Sequence, residues 1–434
     1  MMREMILLGA GASVEAGVPD TYGMTSKIME LFRKDYLMQR YVAVISFVIG
    51  GLLFQHGIKG RDPLQEGVNV EELFNAVQLL AERNTLEAAP FVESWHPMVQ
   101  ELDRARLHAG SGRLYWLIYD RLVKAMESAL GSLPSGNNRT NPREFMRDWV
   151  SRVRYSGSSG GFDIDRELEK VIEQAKDRPG EGEIFSETAE SMIRVLVNIV
   201  WIDQAESIAY MKPLVSLVGA QRRLTVATLN YDNSIELLAQ SASVSCTTGI
   251  DKWSETGSFI PSSDGIFLIK LHGSIDWALE GDQRSEDRPM PHSIIRQVSA
   301  GEIKEPGFRP GVIFGQRNKL TAEGPFLDLL RAFQQELSRS DILTVVGYSF
   351  RDDHVNEYIS QWLNQSKERK MRIINPHFDR SPSPYAGQLS RFGGTQVEII
   401  REPAGAGLVK LYSYSIVIVP SVTQPSSVSA EPTT

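Results

Sequence analysis

Four short apolar runs in this chain each stop abruptly at a polar or glycine-rich segment. Residues 5–8 run into Gly9-Ala10-Gly11-Ala12-Ser13, and residues 224–228 into Leu229-Asn230-Tyr231-Asp232. Residues 266–271 run into His272-Gly273, and residues 342–346 into Gly347-Tyr348-Ser349. Residues 371–374, before Asn375-Pro376, are a candidate fifth, and residues 397–400 a last strand. Short continuous apolar runs fit strands buried on both faces, as in a parallel sheet. The polar segments then fall at the carboxyl ends of the strands, where open α/β sheets place ligands.

Between the first two runs the period becomes helical. Residues 24–37 carry Ile28, Leu31 and Phe32 on one side. Residues 69–82 form a stripe through Val70, Leu73, Phe74, Val77 and Leu80, with Asn69 as cap. Residues 114–130, 142–153 and 187–214 predict further helices, and 156–161 and 178–182 predict loops. Residues 42–49 read equally as strand or buried helix. Later, residues 325–337 predict a helix, and Asp352 or Asp353 caps another that runs through Leu363. The predicted fold class is α/β: a Rossmann-like parallel sheet with a large helical insertion. Residues 1–40 and 220–415 form the discontinuous sheet domain. Residues 41–219 form the insertion, an oligomer or partner surface, and 416–434 a C-terminal segment ending in a Ser/Thr/Pro-rich disordered tail.

Composition narrows the classes. At 434 residues, with 42% hydrophobic and 23% charged residues, the chain is globular and long enough for more than one domain. A formal charge of −8 gives no electrostatic reason to expect direct nucleic-acid binding. The one cysteine, Cys246, excludes an internal disulfide and a cysteine-rich zinc module. The seven histidines show no paired metal-ligand spacing. Asp352, Asp353 and His354 lie together, but Asp at a helix start reads as a cap, so no metal is expected. The apolar segment 42–54 is too short to span a bilayer, and no signal peptide is visible, so a cytoplasmic protein without a membrane anchor is expected.

The turn after the first run carries the most explicit chemistry. Gly9 and Gly11 allow a tight turn whose backbone N–H groups approach an anion, and a helix starting over residues 13–16 would point further N–H groups at it. The third position of the dinucleotide fingerprint is Val14 rather than glycine, so the turn is a variant. No Gly-Lys-Ser or Gly-Lys-Thr follows, which argues against an ATPase.

Taken in order, Gly9 to Ser13 with Gly17-Val18-Pro19-Asp20, Thr228-Leu229-Asn230-Tyr231-Asp232, Leu271-His272-Gly273-Ser274 and Gly347-Tyr348-Ser349 resemble the conserved blocks of the sirtuin superfamily. The chain is most similar to the bacterial sirtuin-like branch associated with anti-phage defence. The resemblance implies that Gly9, Ala10, Gly11, Ala12 and Ser13 hold the NAD pyrophosphate, with Gly17 and Thr228 in the same blocks. It implies that Asp20 lies near the nicotinamide ribose, and that Asn230 and Asp232 form the Asn-x-Asp pair of the pocket. His272 corresponds to the catalytic histidine, Gly347 and Ser349 support the dinucleotide, and Asn375 touches the adenosine ribose. Two features depart from sirtuin deacylases. Tyr22 stands where their Asp-Phe-Arg has arginine, and the four-cysteine zinc module is missing. The resemblance therefore implies an NAD hydrolase that depletes NAD, without zinc. It further implies a homo-oligomer, even a ring, that works with a HerA-type hexameric ATPase.

The residue chemistry fits that reading. Cleaving the glycosidic bond of NAD releases a leaving group that is already cationic, so the enzyme must hold the ribose and deliver a nucleophile. Asn230 can orient water or ribose hydroxyls, and His272 can take a proton near neutral pH. The structural alternatives are an Asx turn at Asn230 and a histidine closing a strand end. Two other functions stay open: an NAD-dependent protein deacylase or ADP-ribosyltransferase, and a non-enzymatic nucleotide-binding scaffold.

Overall fold

In the computed structural model of the chain, the residues described are 2–60, 62, 67–83, 99, 183–285, 288–303, 308, 310–312, 325–381, 383–392 and 394–412. The expected helices at 114–130 and 142–153, the loops at 156–161 and 178–182, and the tail at 416–434 lie outside them. The chain divides into two compact units, one of Met1–Leu31, Gln55–Asn75 and Met192–Thr434, the other of Phe32–Phe54 and Ala76–Ser191.

Among the described residues the first unit contains ten strands: β1 (Glu4–Leu8), β2 (Arg223–Thr228), β3 (Cys246–Thr247), β4 (Gly265–Lys270), β5 (Gly273–Ser285), β6 (Arg288–Gln297), β7 (Pro310–Val312), β8 (Ile342–Val346), β9 (Lys370–Ile374) and β10 (Val397–Ile400). Seven of them form one sheet in the order β10-β9-β8-β1-β2-β4-β3. Every pairing in it is parallel. The fold is thus a Rossmann-like parallel sheet with a large helical insertion between β1 and β2. β5, β6 and β7 form a separate antiparallel sheet in the order β6-β5-β7.

Topology places the ligand-binding edge. From β1 the chain builds one side of the sheet through β2, β3 and β4, then returns to the other side of β1 with β8. The order therefore reverses between β1 and β8, the kind of switch point beside which open α/β sheets bind ligands. Register aligns the strand ends as well: Leu8 is level with Thr228 and Val346, Thr228 with Lys270, and Val346 with Ile374. The polar segments that follow these strands consequently emerge along one edge.

The central strands are buried on both faces because helices cover them. Met5, Leu7, Ala227, Phe267, Ile269, Leu343 and Val345 belong to one core cluster, into which the helix Phe326–Ser338 sets Leu329, Phe333 and Leu337 at helical spacing. The helices Val70–Ala81 and Asp353–Asn364 start at the residues expected to cap them. The Asn69 side chain accepts from the Glu71 N–H at 2.8 Å, and Asp352 Oδ1 from the N–H groups of His354 and Val355.

Three expectations change. No α-helix starts over residues 13–16: short 3-10 turns occupy Ala10–Ala12 and Val14–Ala16, and the α-helix begins at Thr21. Gly17 is left-handed (φ 89°), and Pro19 disfavours helix at Val18, so the chain cannot propagate a helix there. Residues 42–49, open between strand and helix, lie in the helix Gln39–Ile58. At 20 residues that helix is long and apolar enough to cross a membrane by length and composition, so the expectation of a run too short to do so is corrected. Its buried positions include Tyr41, Val44, Ile45 and Val48, which share one face of the helix. The 187–214 stretch is interrupted: an α-helix over Glu183–Val200 gives way to a 3-10 segment, Ala205–Met211, and a second helix, Pro213–Gln221.

Residues 55–75 and 192–219, whose helical pattern placed them with the insertion, cluster with the sheet. Specific polar contacts hold them there. Thr25 Oγ1 donates to the Val68 carbonyl at 2.7 Å, and the Asn233 amide pairs with both backbone groups of Ile202. The Tyr210 hydroxyl donates to the Ala12 carbonyl at 2.6 Å.

Cys246, on the short strand β3, makes a testable case of local environment. Burial first, then the charge of Glu236, pushes its thiol up to about 12 from the ordinary 9.0. Because the thiolate is the reactive form, alkylation of native protein at pH 8 is expected to be about 10³-fold slower than that of an unperturbed thiol. Intact-mass kinetics with iodoacetamide measure this, and labelling at the rate of a free thiol would contradict it.

Candidate active site

The glycines after β1 are required by close backbone approach. A Cβ at Gly9 would lie 2.6 Å from Tyr348 Cα, and one at Gly11 would lie 2.9 Å from Gly347 Cα. Gly347 itself has φ 63°, and a Cβ there would meet the Ala12 nitrogen at 2.2 Å. Residues 9–12 and 347–348 therefore fit against each other only because three side chains are missing. This contact engages the N–H groups expected to face an anion. Gly9 donates to the Val346 carbonyl, Gly11 to Gly347, Ala12 to Gly9 and Ser13 to Ala10. Ala10 lines the cleft beside the turn.

Asn230 is fixed by this turn. Its Nδ2 donates to the Gly9 carbonyl and to Ser13 Oγ, both at 3.0 Å, and its own N–H donates to Thr228 Oγ1. A carbonyl can only accept, so the amide orientation is determined. Both amide hydrogens are engaged, and Oδ1 is the atom Asn230 can offer a ligand. Asp232 Oδ1 accepts from the Ser234 N–H, and the Asp232 carbonyl accepts from Lys270 Nζ at 2.7 Å. Lys270 is fully buried and also donates to Glu236 Oε1 at 2.7 Å. Burial alone would depress the Lys270 pKa, but Glu236, then Asp276, hold it above the ordinary value and keep the ammonium charged.

His272 follows β4 at the same edge. The glycine after it has φ 79°, and a Cβ there would lie 2.1 Å from the Gly311 carbonyl oxygen, so β5 and β7 can pair only with glycine at 273. His272 Nε2 lies 3.0 Å from Asp352 Oδ2, and each residue is 6% exposed. The carboxylate favours the tautomer protonated at Nε2. Nδ1 is then an unprotonated base, and it is buried with no hydrogen-bond partner. Asp352 thus joins the cap of the helix Asp353–Asn364 to the orientation of His272. Sequence reading found only the cap.

These groups border one cleft. Ala10, Asn230, Asp232, His272 and Ser349 line it, joined by Arg351 and Asp352. Gly9, Gly11, Ala12, Ser13, Thr228 and Gly347 are not among its lining residues. The other expected residues lie outside the lining. Gly17 and Asp20 are exposed, with Asp20 Oδ1 accepting from the Gly23 N–H. Asn375 donates to the Tyr348 carbonyl and accepts from the His377 N–H. Tyr231 and Tyr348 also line the cleft. Burial first, then neighbouring carboxylates including Asp352, raises both phenols well above the ordinary range, so they stay protonated. No group of three or more His, Cys, Asp or Glu is placed to hold a metal ion among the described residues.

Residues 224–387 match the family model described as SIR2-like domain. The chain is similar to a solved Sir2 homologue in complex with NAD, at 17% identity, covering 54% of this chain and 74% of that chain with a TM-score of 0.33. It is similar to a mutant Sir2 homologue in complex with ADP-ribose, at 15% identity, covering 54% and 76% with a TM-score of 0.33. A structure addressing the mechanism and regulation of Sir2 enzymes has 16% identity, coverage of 56% and 77%, and a TM-score of 0.28. No curated protein matches the chain.

Proposed function

From a SIR2-like domain over residues 224–387, we propose that the cleft takes NAD as its substrate and hydrolyses it to nicotinamide and ADP-ribose. The observation that carries this reading is His272, tied to Asp352 through Nε2 and without a partner at Nδ1, in the wall of the cleft that Asn230 also lines. In the reaction, the bond between the ribose C1′ and the nicotinamide nitrogen breaks with its electron pair leaving on nitrogen. Water oxygen bonds to C1′, and the water proton passes to His272 Nδ1. Nicotinamide departs neutral without a general acid. Asn230 Oδ1 accepts a hydrogen bond from the ribose or from the water. The carboxylates of Asp232 and Asp352, both buried, favour the positive charge that develops on the ribose ring.

The motif resemblance extends the proposal to an anti-phage defence effector that depletes NAD, acting as an oligomer with a HerA-type ATPase. That extension rests on the ordered motifs alone. A protein deacylase or ADP-ribosyltransferase would use the same first half of the chemistry with a different acceptor.

The test is to incubate purified protein with NAD, alone and with a HerA-type ATPase, and to quantify nicotinamide and ADP-ribose. Equal amounts of both products are expected, with Asn230→Ala slower by at least about 10²-fold. No nicotinamide under either condition, or equal rates for wild type and variant, would refute the proposal. ADP-ribose appearing on acylated peptide or protein instead would favour the transferase reading.

A further inference from the structure

The expected grip on the dinucleotide's diphosphate is largely engaged elsewhere in this fold. Residues 9, 11, 12 and 13 direct their N–H groups to carbonyls of the chain, and no α-helix begins until Thr21. The cleft wall meanwhile carries the carboxylates Glu71, Asp232 and Asp352. A diphosphate with two negative charges is repelled by that wall unless a cation faces it.

Among the described residues that line the cleft, the one permanent cation is Arg351. Its guanidinium lies 5.1 Å from the centroid of the Tyr22 ring and donates to the Tyr22 hydroxyl. It makes no ion pair with a carboxylate among the described residues, although other arginines of this unit do, such as Arg223 with Glu336 and Arg401 with Asp379. The backbone holds it in place from both sides. Phe350, fully buried, adopts φ 57°, a costly conformation for a bulky residue. Its carbonyl accepts from Asn356 Nδ2 at 2.9 Å and from Ser383 Oγ. The Asp352 N–H donates to the Tyr348 hydroxyl at 3.0 Å. One strained turn therefore delivers two charged groups to the cleft: Asp352 to His272, and Arg351 with no ion pair among the described residues. Tyr22, which sequence reading treats as the loss of an arginine, is the residue that holds this one.

We propose that Arg351 is the anion-binding residue of the cleft and takes the diphosphate of the bound dinucleotide, a role that rests on the NAD reading above. Arginine presents a fork of donors that matches two phosphate oxygens, and stacking on Tyr22 pre-orients it.

The experiment is a calorimetric titration of full-length protein with ADP-ribose, repeated with inorganic pyrophosphate as competitor. Wild type is expected to bind ADP-ribose and to lose it to pyrophosphate. Arg351→Ala is expected to bind ADP-ribose about 10- to 100-fold more weakly, with Arg351→Lys between the two. Pyrophosphate should compete poorly against the alanine variant. If that variant does not fold, Arg351→Gln and Arg351→Lys supply the same comparison. Wild-type affinity in the variants, or no competition by pyrophosphate in wild type, would overturn the role of Arg351 and leave the NAD reading standing. Failure of folded wild type to bind ADP-ribose at all would overturn both.

Discussion

Replacing Asp352 by asparagine is expected to slow NAD cleavage by about 10²- to 10⁴-fold with little loss of stability. Asparagine is nearly isosteric, and its Oδ1 can still accept from the N–H groups of His354 and Val355, so the helix cap survives. What changes is the group facing His272. An amide NH₂ placed 3.0 Å from Nε2 needs an acceptor there, which moves the imidazole proton to Nδ1. The base is then blocked although every heavy atom keeps its place. His272→Ala removes the base altogether and should match the asparagine variant within about tenfold, because the two residues act as one unit. Nicotinamide release at saturating NAD, compared with the thermal midpoint of each variant, checks both. A fully active Asp352→Asn enzyme would show that the pair is structural.

Lys270→Met is expected to lower the free energy of unfolding by about 3 kcal/mol, the scale of a buried ion pair that loses one partner. Lys270 is fully buried and ties the Asp232 carbonyl to the Glu236 carboxylate. Its removal leaves Glu236, whose Oε2 already has no hydrogen-bond partner, without its counter-ion. The Glu236 side chain is 20% exposed, so some hydration moderates the cost. Adding Glu236→Leu to Lys270→Met should restore part of the loss, because two apolar groups leave no charge stranded. Urea unfolding of the three variants measures the cycle. Equal stability of wild type and Lys270→Met would contradict the assignment of this pair as the support beneath Asp232.

The sheet was legible because strands buried on both faces read as unbroken apolar runs. β8 and β10 fall on residues 342–346 and 397–400 as expected, and β2, β4 and β9 within a residue or two. The segments after the strands were legible for the same reason, since strand ends are where polarity changes. Relations between distant turns were not. Nothing in the spacing of Gly9, Gly11 and Gly347 says that these glycines serve mutual backbone contact. Nor does the sequence separate the Asp352 oxygen that caps a helix from the one that orients His272. Arg351 belonged to no motif, and its place depends on the strained Phe350 before it. The helix expected over residues 13–16 failed on local grounds, through Gly17 and Pro19, which was readable in principle. The long apolar segment within 39–58 was ambiguous because buried helix and strand share one composition.

The central claim is that a single cleft presents His272 to a bound dinucleotide. Its most direct test is the NMR signal of His272 in protein labelled at its histidines, assigned by comparison with His272→Ala, during titration with a non-hydrolysable carbocyclic NAD. The account predicts a saturable shift of the His272 ring resonances that reaches its end point at one equivalent of ligand. Binding of the analogue with those resonances unmoved, or no binding to folded protein, would contradict it.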